Sequence, residues 1–255
     1  MLSHNINPII LKIGPFYLAY YSLVYIIASL FVLYILIKNK DELKIKSSEV
    51  YDCIILLLLS VIVGARIFHI LFWRLDYFLN DPIKIFYIWQ GGVSFHGGLI
   101  GAIIFTLIFC KIKKISFLKL ADTIVLPIAL MGIFLRLANF INQEIVGTVT
   151  DVSWCFKFKY NEGCRHPVQI YASAGRTILF LYLLTLKKFK SFKDGFLFWN
   201  FILLTGVGRF LLDFLREDLI YAGLKSGQWF SLLMIIISLP ILIKHYKADI
   251  TRVFK

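Results

Sequence analysis

The stretch RLANFINQEIVG, Arg136 to Gly147, ends one of the most apolar segments of the chain with an arginine, two asparagines, a glutamine and a glutamate. A guanidinium pairs with phosphate through two parallel N–H donors, and amides or a carboxylate beside it can orient a polar ligand or fix the arginine. The same residue types recur inside other apolar stretches. Arg66 and His69 sit in GARIFHILF, Arg209, Asp213 and Arg216 in GRFLLDFLRED, and His96 between glycines in WQGGVSFHGGLIGA. A charged side chain in hydrocarbon costs at least about 2.5–3.5 kcal/mol, so such residues face an interior or a wet cavity and are functional candidates by default.

The elements that must position them cross a membrane. The chain is 59% hydrophobic, far above the roughly 45–50% of soluble domains. Apolar runs of the roughly 17–25 residues needed for a span fall near 17–37, 51–72, 93–110, 121–141, 168–186, 195–215 and 229–246. The expectation is an all-α integral membrane protein of seven transmembrane helices, a single polytopic domain over 1–255 with no separate soluble part. The start, MLSHNINPIILKIGPF, lacks the basic beginning, compact apolar core and small-residue cleavage site of a removable leader.

The net charge of +13 reads as topology. Sixteen lysines and arginines lie in 38–50, 111–120, 187–194 and 244–255, against eight on the other side, at Lys12, Arg74, Lys84, Lys157, Lys159, Arg165, Arg216 and Lys225. By the positive-inside rule the first set is cytoplasmic, which places the N-terminus outside and the C-terminus inside. The basic excess then attracts anionic headgroups of membrane lipids, and no nucleic acid partner is expected. The remaining basic residues, Arg66, Arg136, Arg176 and Arg209, fall within or at the edges of spans.

In that topology Tyr21, Arg66 with His69, His96, Arg136 with Asn139, and Arg209 with Asp213 all reach the outer leaflet, from five spans. Arg136 and Asn139 are three apart, and Arg209, Asp213 and Arg216 are spaced by four and three, so each set shares a helix face. Gly97 and Gly101 make a small-residue packing face. Tyr20, Tyr21, Tyr25 and Trp229 also fit an aromatic belt. Pro167 suits the first turn of the fifth span, with Gln169 and Tyr171 following it. Cys155 and Cys164 share the long loop 142–167 and are either joined or two free thiols; Cys53 and Cys110 lie at span ends.

Arginines at headgroup depth with asparagine and tyrosine donors suit a lipid phosphate, and a histidine with carboxylates adds proton acceptors that simple lipid binding does not need. No metal or other cofactor is implied, for the chain has no HExxH, no paired-histidine helix and no aspartate-rich motif.

These segments resemble, in order along the chain, those of the prolipoprotein diacylglyceryl transferase family. RLANFINQEIVG is similar to its signature, and IGPFYLAYYSLVY, GARIFHILF, WQGGVSFHGGLIGA, RHPVQIY and GRFLLDFLRED are similar to its other segments. The resemblance implies a seven-helix enzyme of the bacterial plasma (inner) membrane. It would transfer diacylglyceryl from phosphatidylglycerol to the lipobox cysteine of preprolipoprotein peptides, forming a thioether and releasing glycerol phosphate. Arg136, Asn139, Glu144 and Gly147 fall on the signature, His96 on the histidine-glycine motif, Tyr21 on the first-span tyrosine and Arg209 on the sixth-span arginine. On this reading His96, Arg136 and Arg209 are catalytic: His96 takes the thiol proton while the arginines hold the phosphate. Tyr21, Arg66, Asn139, Glu144, Gly147 and Asp213 serve the substrate.

The chain departs from the family pattern at four places. Leu135 and Ala138 replace usual glycines, Ala172 stands where glutamate is common, and Asp213 replaces glutamate with a side chain one methylene shorter. A divergent lipid binder without turnover and a small-solute transporter are the rival readings. A transporter calls for a midplane site and broken helices, whereas only Pro127 and Pro240 interrupt spans. The seventh span has no lysine for a retinal-type Schiff base.

Overall fold

The computed structural model describes every residue except Met1, Pro15, Trp89, Gln90, Lys190, Phe254 and Lys255. Trp89 and Gln90 of the WQGG segment, Pro15 of IGPFYLAYYSLVY, and Lys190 and Lys255 of the basic segments therefore lie outside the described residues. Among those described, seven helices are long and apolar enough to cross a membrane: α1 (Tyr20–Lys38), α3 (Ser47–Trp73), α5 (Phe95–Lys113), α6 (Phe117–Ile141), α7 (Val168–Phe189), α8 (Phe196–Leu212, continued by a 3-10 turn Asp213–Leu215) and α9 (Ser226–His245). The chain is a multi-pass membrane protein. Helices satisfy their own backbone groups, the condition for crossing lipid, and α1 and α3 turn residues such as Leu30 and Ile55 outward, both more than half exposed.

Outside the spans lie short pieces: α2 (Lys40–Leu43), α4 (Leu75–Asn80), α10 (Lys247–Val253) and strands β1 (Leu2–Ser3), β2 (Ile9–Ile13), β3 (Phe16–Ala19), β4 (Phe156–Lys157), β5 (Ile220–Tyr221) and β6 (Leu224–Lys225). The strands correct the first predicted span. Residues 17–19 belong to β3, which pairs antiparallel with β2, so the helix begins at Tyr20. A short apolar run reads equally as strand or helix, and here Gly14, at φ +58°, lets the chain reverse and pair with itself. The seventh span begins at Ser226 rather than 229, and the second at Ser47 rather than 51.

The residues cluster into two compact units, residues 33–120 and residues 1–32 with 121–255. In the first, α3 and α5 approach backbone to backbone: a Cβ at Gly97 would overlap the Gly64 carbonyl and one at Gly101 the Ser60 carbonyl. This is the close approach for which small residues are used.

In the second unit the core runs through Val125 and Ala129 of α6, Leu179 and Leu183 of α7, Phe196 and Leu197 of α8, and Leu242 of α9. Asp122 of α6 ties the start of α8, accepting from the Gly195 and Phe198 N–H groups at 2.7 Å each, where the helix leaves donors unpaired. The loop 142–167 is closed by a Cys155–Cys164 disulfide; Cys53 and Cys110 are free and buried. β1 pairs parallel with β4 inside this loop. His4 is buried there, 4.7 Å from the Phe140 ring centroid and 5.8 Å from that of Phe158. Burial lowers the His4 pKa below its ordinary value.

Candidate active site

The polar residues of RLANFINQEIVG first serve to close a turn. α6 ends at Ile141, and Glu144 N–H donates back to the Asn139 carbonyl at 3.0 Å. Gln143 and Ile145 then take left-handed conformations, at φ +58° and +57°. For the β-branched Ile145 this is a strained position, held only because its surroundings over-determine it.

A continuous hydrogen-bonded set fixes the turn. Arg136 Nη1 donates to Asn139 Oδ1 at 3.2 Å, Asn139 Nδ2 donates to the Tyr21 hydroxyl, and that hydroxyl donates to Glu144 Oε2 at 2.8 Å. From α7, Gln169 Nε2 donates to the Glu144 carbonyl at 2.7 Å. Asn139 is 4% exposed, so it makes its bonds within the protein and acts as the joint between tyrosine, glutamate and arginine.

A second set lies at the end of α8. Asp213, 1% exposed, pairs with Arg216 Nη1 at 3.0 Å and with Arg209 Nε at 3.6 Å, the one-face spacing expected from the sequence. The shorter reach of aspartate is matched by Gly227 of α9, where a Cβ would overlap Asp213 Oδ2. Lys225 Nζ donates to the Asp213 carbonyl at 2.7 Å. These contacts hold Asp213 against the arginines at the wall of the cavity described next.

Arg136, Arg176, Arg209, Arg216 and Asp213 line one cavity of about 170 Å³ between α6, α7 and α8. Four guanidiniums against one carboxylate make it strongly cationic. Arg136 Nε and Arg216 Nε are buried without a hydrogen-bond partner among the described residues, and such donors suit an acceptor on a ligand; Arg209 Nε faces Asp213 Oδ2 at 3.6 Å. Arg176 and Arg216 were not among the residues expected to act. Arg176 is one of the four in-span arginines, and Arg216 continues the four-and-three spacing, so both signals were in the sequence.

Gly147 joins the two sets. It pairs in an isolated bridge with Arg216, its carbonyl accepts from Arg165 Nη1 at 3.0 Å, and Arg165 also bonds Glu217. A Cβ at Gly147 would overlap the His166 carbonyl.

Arg66 and His96 belong to the unit 33–120. His96 is exposed in the first turn of α5, its ring 6.0 Å from that of Phe68. Arg66 is 6% exposed and directs all five N–H donors to main-chain carbonyls: Nε to Ile85, Nη1 to Gly91 and Gly92, Nη2 to Lys84 and Tyr87. All five bonds tie Arg66 to the main chain that precedes α5.

A family model described as prolipoprotein diacylglyceryl transferase matches residues 8–244. Proteins named phosphatidylglycerol–prolipoprotein diacylglyceryl transferase are similar to this chain. The protein of Geobacter sulfurreducens is 39% identical, covering 88% of each chain. That of Ehrlichia ruminantium is 38% identical over 93% of this chain and 96% of its own, and that of Bordetella parapertussis 37% over 91% and 92%. With its seven apolar helices and these likenesses along nearly its whole length, the chain belongs to the prolipoprotein diacylglyceryl transferase family.

Proposed function

We propose that the chain transfers the diacylglyceryl group of phosphatidylglycerol to the lipobox cysteine thiol of preprolipoproteins in the bacterial plasma (inner) membrane, the first step of lipoprotein maturation. The observation that carries this reading is the cavity lined by four arginines and a single carboxylate, a receptor for phosphate inside a membrane protein. Guanidinium groups hold phosphate bidentately and, in a site with little water, stabilise charge as it forms on the leaving oxygen.

Sulfur attacks glycerol carbon 3 as a thiolate. A free cysteine has a pKa near about 8.5, so a base or positive field assists at neutral pH. His96 is the proposed proton acceptor. Arg136 and Arg209 grip the phosphate. Tyr21, Asn139 and Glu144 keep Arg136 aimed, and Gly147 holds the turn against Arg216. All 255 residues serve one polytopic domain. The N-terminus lies outside and the C-terminus in the cytoplasm, supported by the positive-inside count and by the disulfide in the loop 142–167, a bond that persists in oxidising compartments.

The test is transfer of labelled diacylglyceryl from phosphatidylglycerol vesicles to a lipobox peptide by the purified chain. Arg136→Ala should lower the rate by about 10²–10³-fold, the usual loss of one group that stabilises developing charge. His96→Gln should abolish turnover yet leave lipid binding nearly intact; near-normal turnover removes it from the base's role. No transfer by folded wild-type protein that still binds phosphatidylglycerol would replace the enzyme with the lipid-binding reading.

A further inference from the structure

The cavity carries more positive charge than one phosphodiester balances. Asp213 is shared by Arg209 and Arg216, Asp218 also pairs with Arg216 at 3.2 Å, and Arg136 is held by a neutral amide. Arg176 has no carboxylate partner among the described residues. A phosphatidylglycerol headgroup brings one negative charge, which leaves a surplus in a place where unbalanced charge is costly.

The surplus has a definite location. A Cβ at Gly132 of α6 would lie 2.5 Å from Arg176 Nη1, so this guanidinium rests on α6 one turn before Arg136. Across from it on α8, one turn before Arg209, Thr205 Oγ1 is buried without a hydrogen-bond partner and lines the same cavity. Gly175 and Gly208, also lining it, leave room, since a Cβ at either would meet nothing within 4 Å.

We propose that Arg176 and Thr205 form a phosphomonoester subsite, set one turn further into the helices than Arg136 and Arg209, that holds the glycerol phosphate released by the reaction. This rests on the transfer reading above. As the C–S bond forms, the bond between carbon 3 and the phosphate oxygen breaks and its electron pair stays on that oxygen; the thiol proton goes to the base. The phosphodiester monoanion thereby becomes a monoester with a second ionisation near pH 6 and close to two negative charges at neutral pH. Arg176 meets the charge that appears, and Thr205 donates its hydroxyl to the same phosphate.

Glycerol 1-phosphate binding to the full-length protein in detergent, read by calorimetry, tests the subsite without requiring turnover. Arg176→Gln should weaken it by about tenfold or more, the worth of a charge-assisted hydrogen bond. Thr205→Val should weaken it less, Arg176→Lys should restore most of it, and KM for phosphatidylglycerol should change little. Unchanged glycerol phosphate affinity in folded Arg176→Gln overturns the subsite, as does an equal loss in KM for the lipid. Should Arg176→Gln fail to fold, Thr205→Val decides: unchanged affinity there overturns the proposal. A wild-type protein that binds glycerol phosphate through Arg176 but transfers nothing keeps the anion site and sinks the transferase reading.

Discussion

Asp213→Ala should lower transfer by at least about 10²-fold and destabilise the protein by less than the roughly 3–5 kcal/mol of a fully buried ion pair, because Asp213 is buried whereas its partner Arg209 is 40% exposed. Here two arginines lose a shared carboxylate at once, for Asp213 pairs with both Arg209 and Arg216. Arg216 keeps Asp218 at 3.2 Å, whereas Arg209 loses the carboxylate that aims it into the cavity. Asp213→Asn keeps the shape and isolates the charge, so it should retain more stability than the alanine variant while losing most of the activity. Asp213→Glu keeps the charge but adds a methylene beside the close approach of Gly227, so its rate should fall between those of Asp213→Ala and wild type. Initial rates and thermal melting of the three variants check this; an alanine variant within tenfold of wild type in rate, with an unchanged melting temperature, would end Asp213's part in positioning the arginines.

Gly147→Ala is expected to have a comparable effect on rate from the addition of a single carbon. That carbon would overlap the His166 carbonyl and come within 2.8 Å of His166 Cβ and 2.9 Å of Val168 Cγ1. Main chain cannot swing aside as a side-chain tip can, and overpacking costs typically about 1–3 kcal/mol. The loop segment that must move carries Glu144 on one side and the bridge to Arg216 on the other, so both polar sets shift together. Gly175→Ala is the control: with nothing within 4 Å of the added carbon, it should leave stability unchanged or raise it by up to about 1 kcal/mol, the helix preference of alanine over glycine. A Gly147→Ala protein with wild-type transfer would show that the turn has slack.

The spans were legible because lipid imposes a length and an apolar composition on any helix that crosses it. Arg209, Asp213 and Arg216 were legible as a set because helix spacing alone puts them on one face. The β2–β3 hairpin was not, since the run Ile9 to Ala19 is mostly apolar and its period does not separate strand from helix. Nor was the job of Arg66: an in-span arginine announces that something must accept its hydrogen bonds, and the sequence does not say whether that is a ligand or the chain itself. Arg176 shows the converse, a residue whose position in a span carried the same signal but whose neighbours across the cavity emerge only when α6, α7 and α8 are packed.

Arg66 also bears on how the first unit is held together. The carbonyls it collects belong to Lys84, Ile85, Tyr87, Gly91 and Gly92, five peptide groups tied to one side chain of α3. A single guanidinium thereby does at these carbonyls what a ladder of main-chain donors does elsewhere, and a substitution that removes it takes away all of these bonds together rather than one at a time.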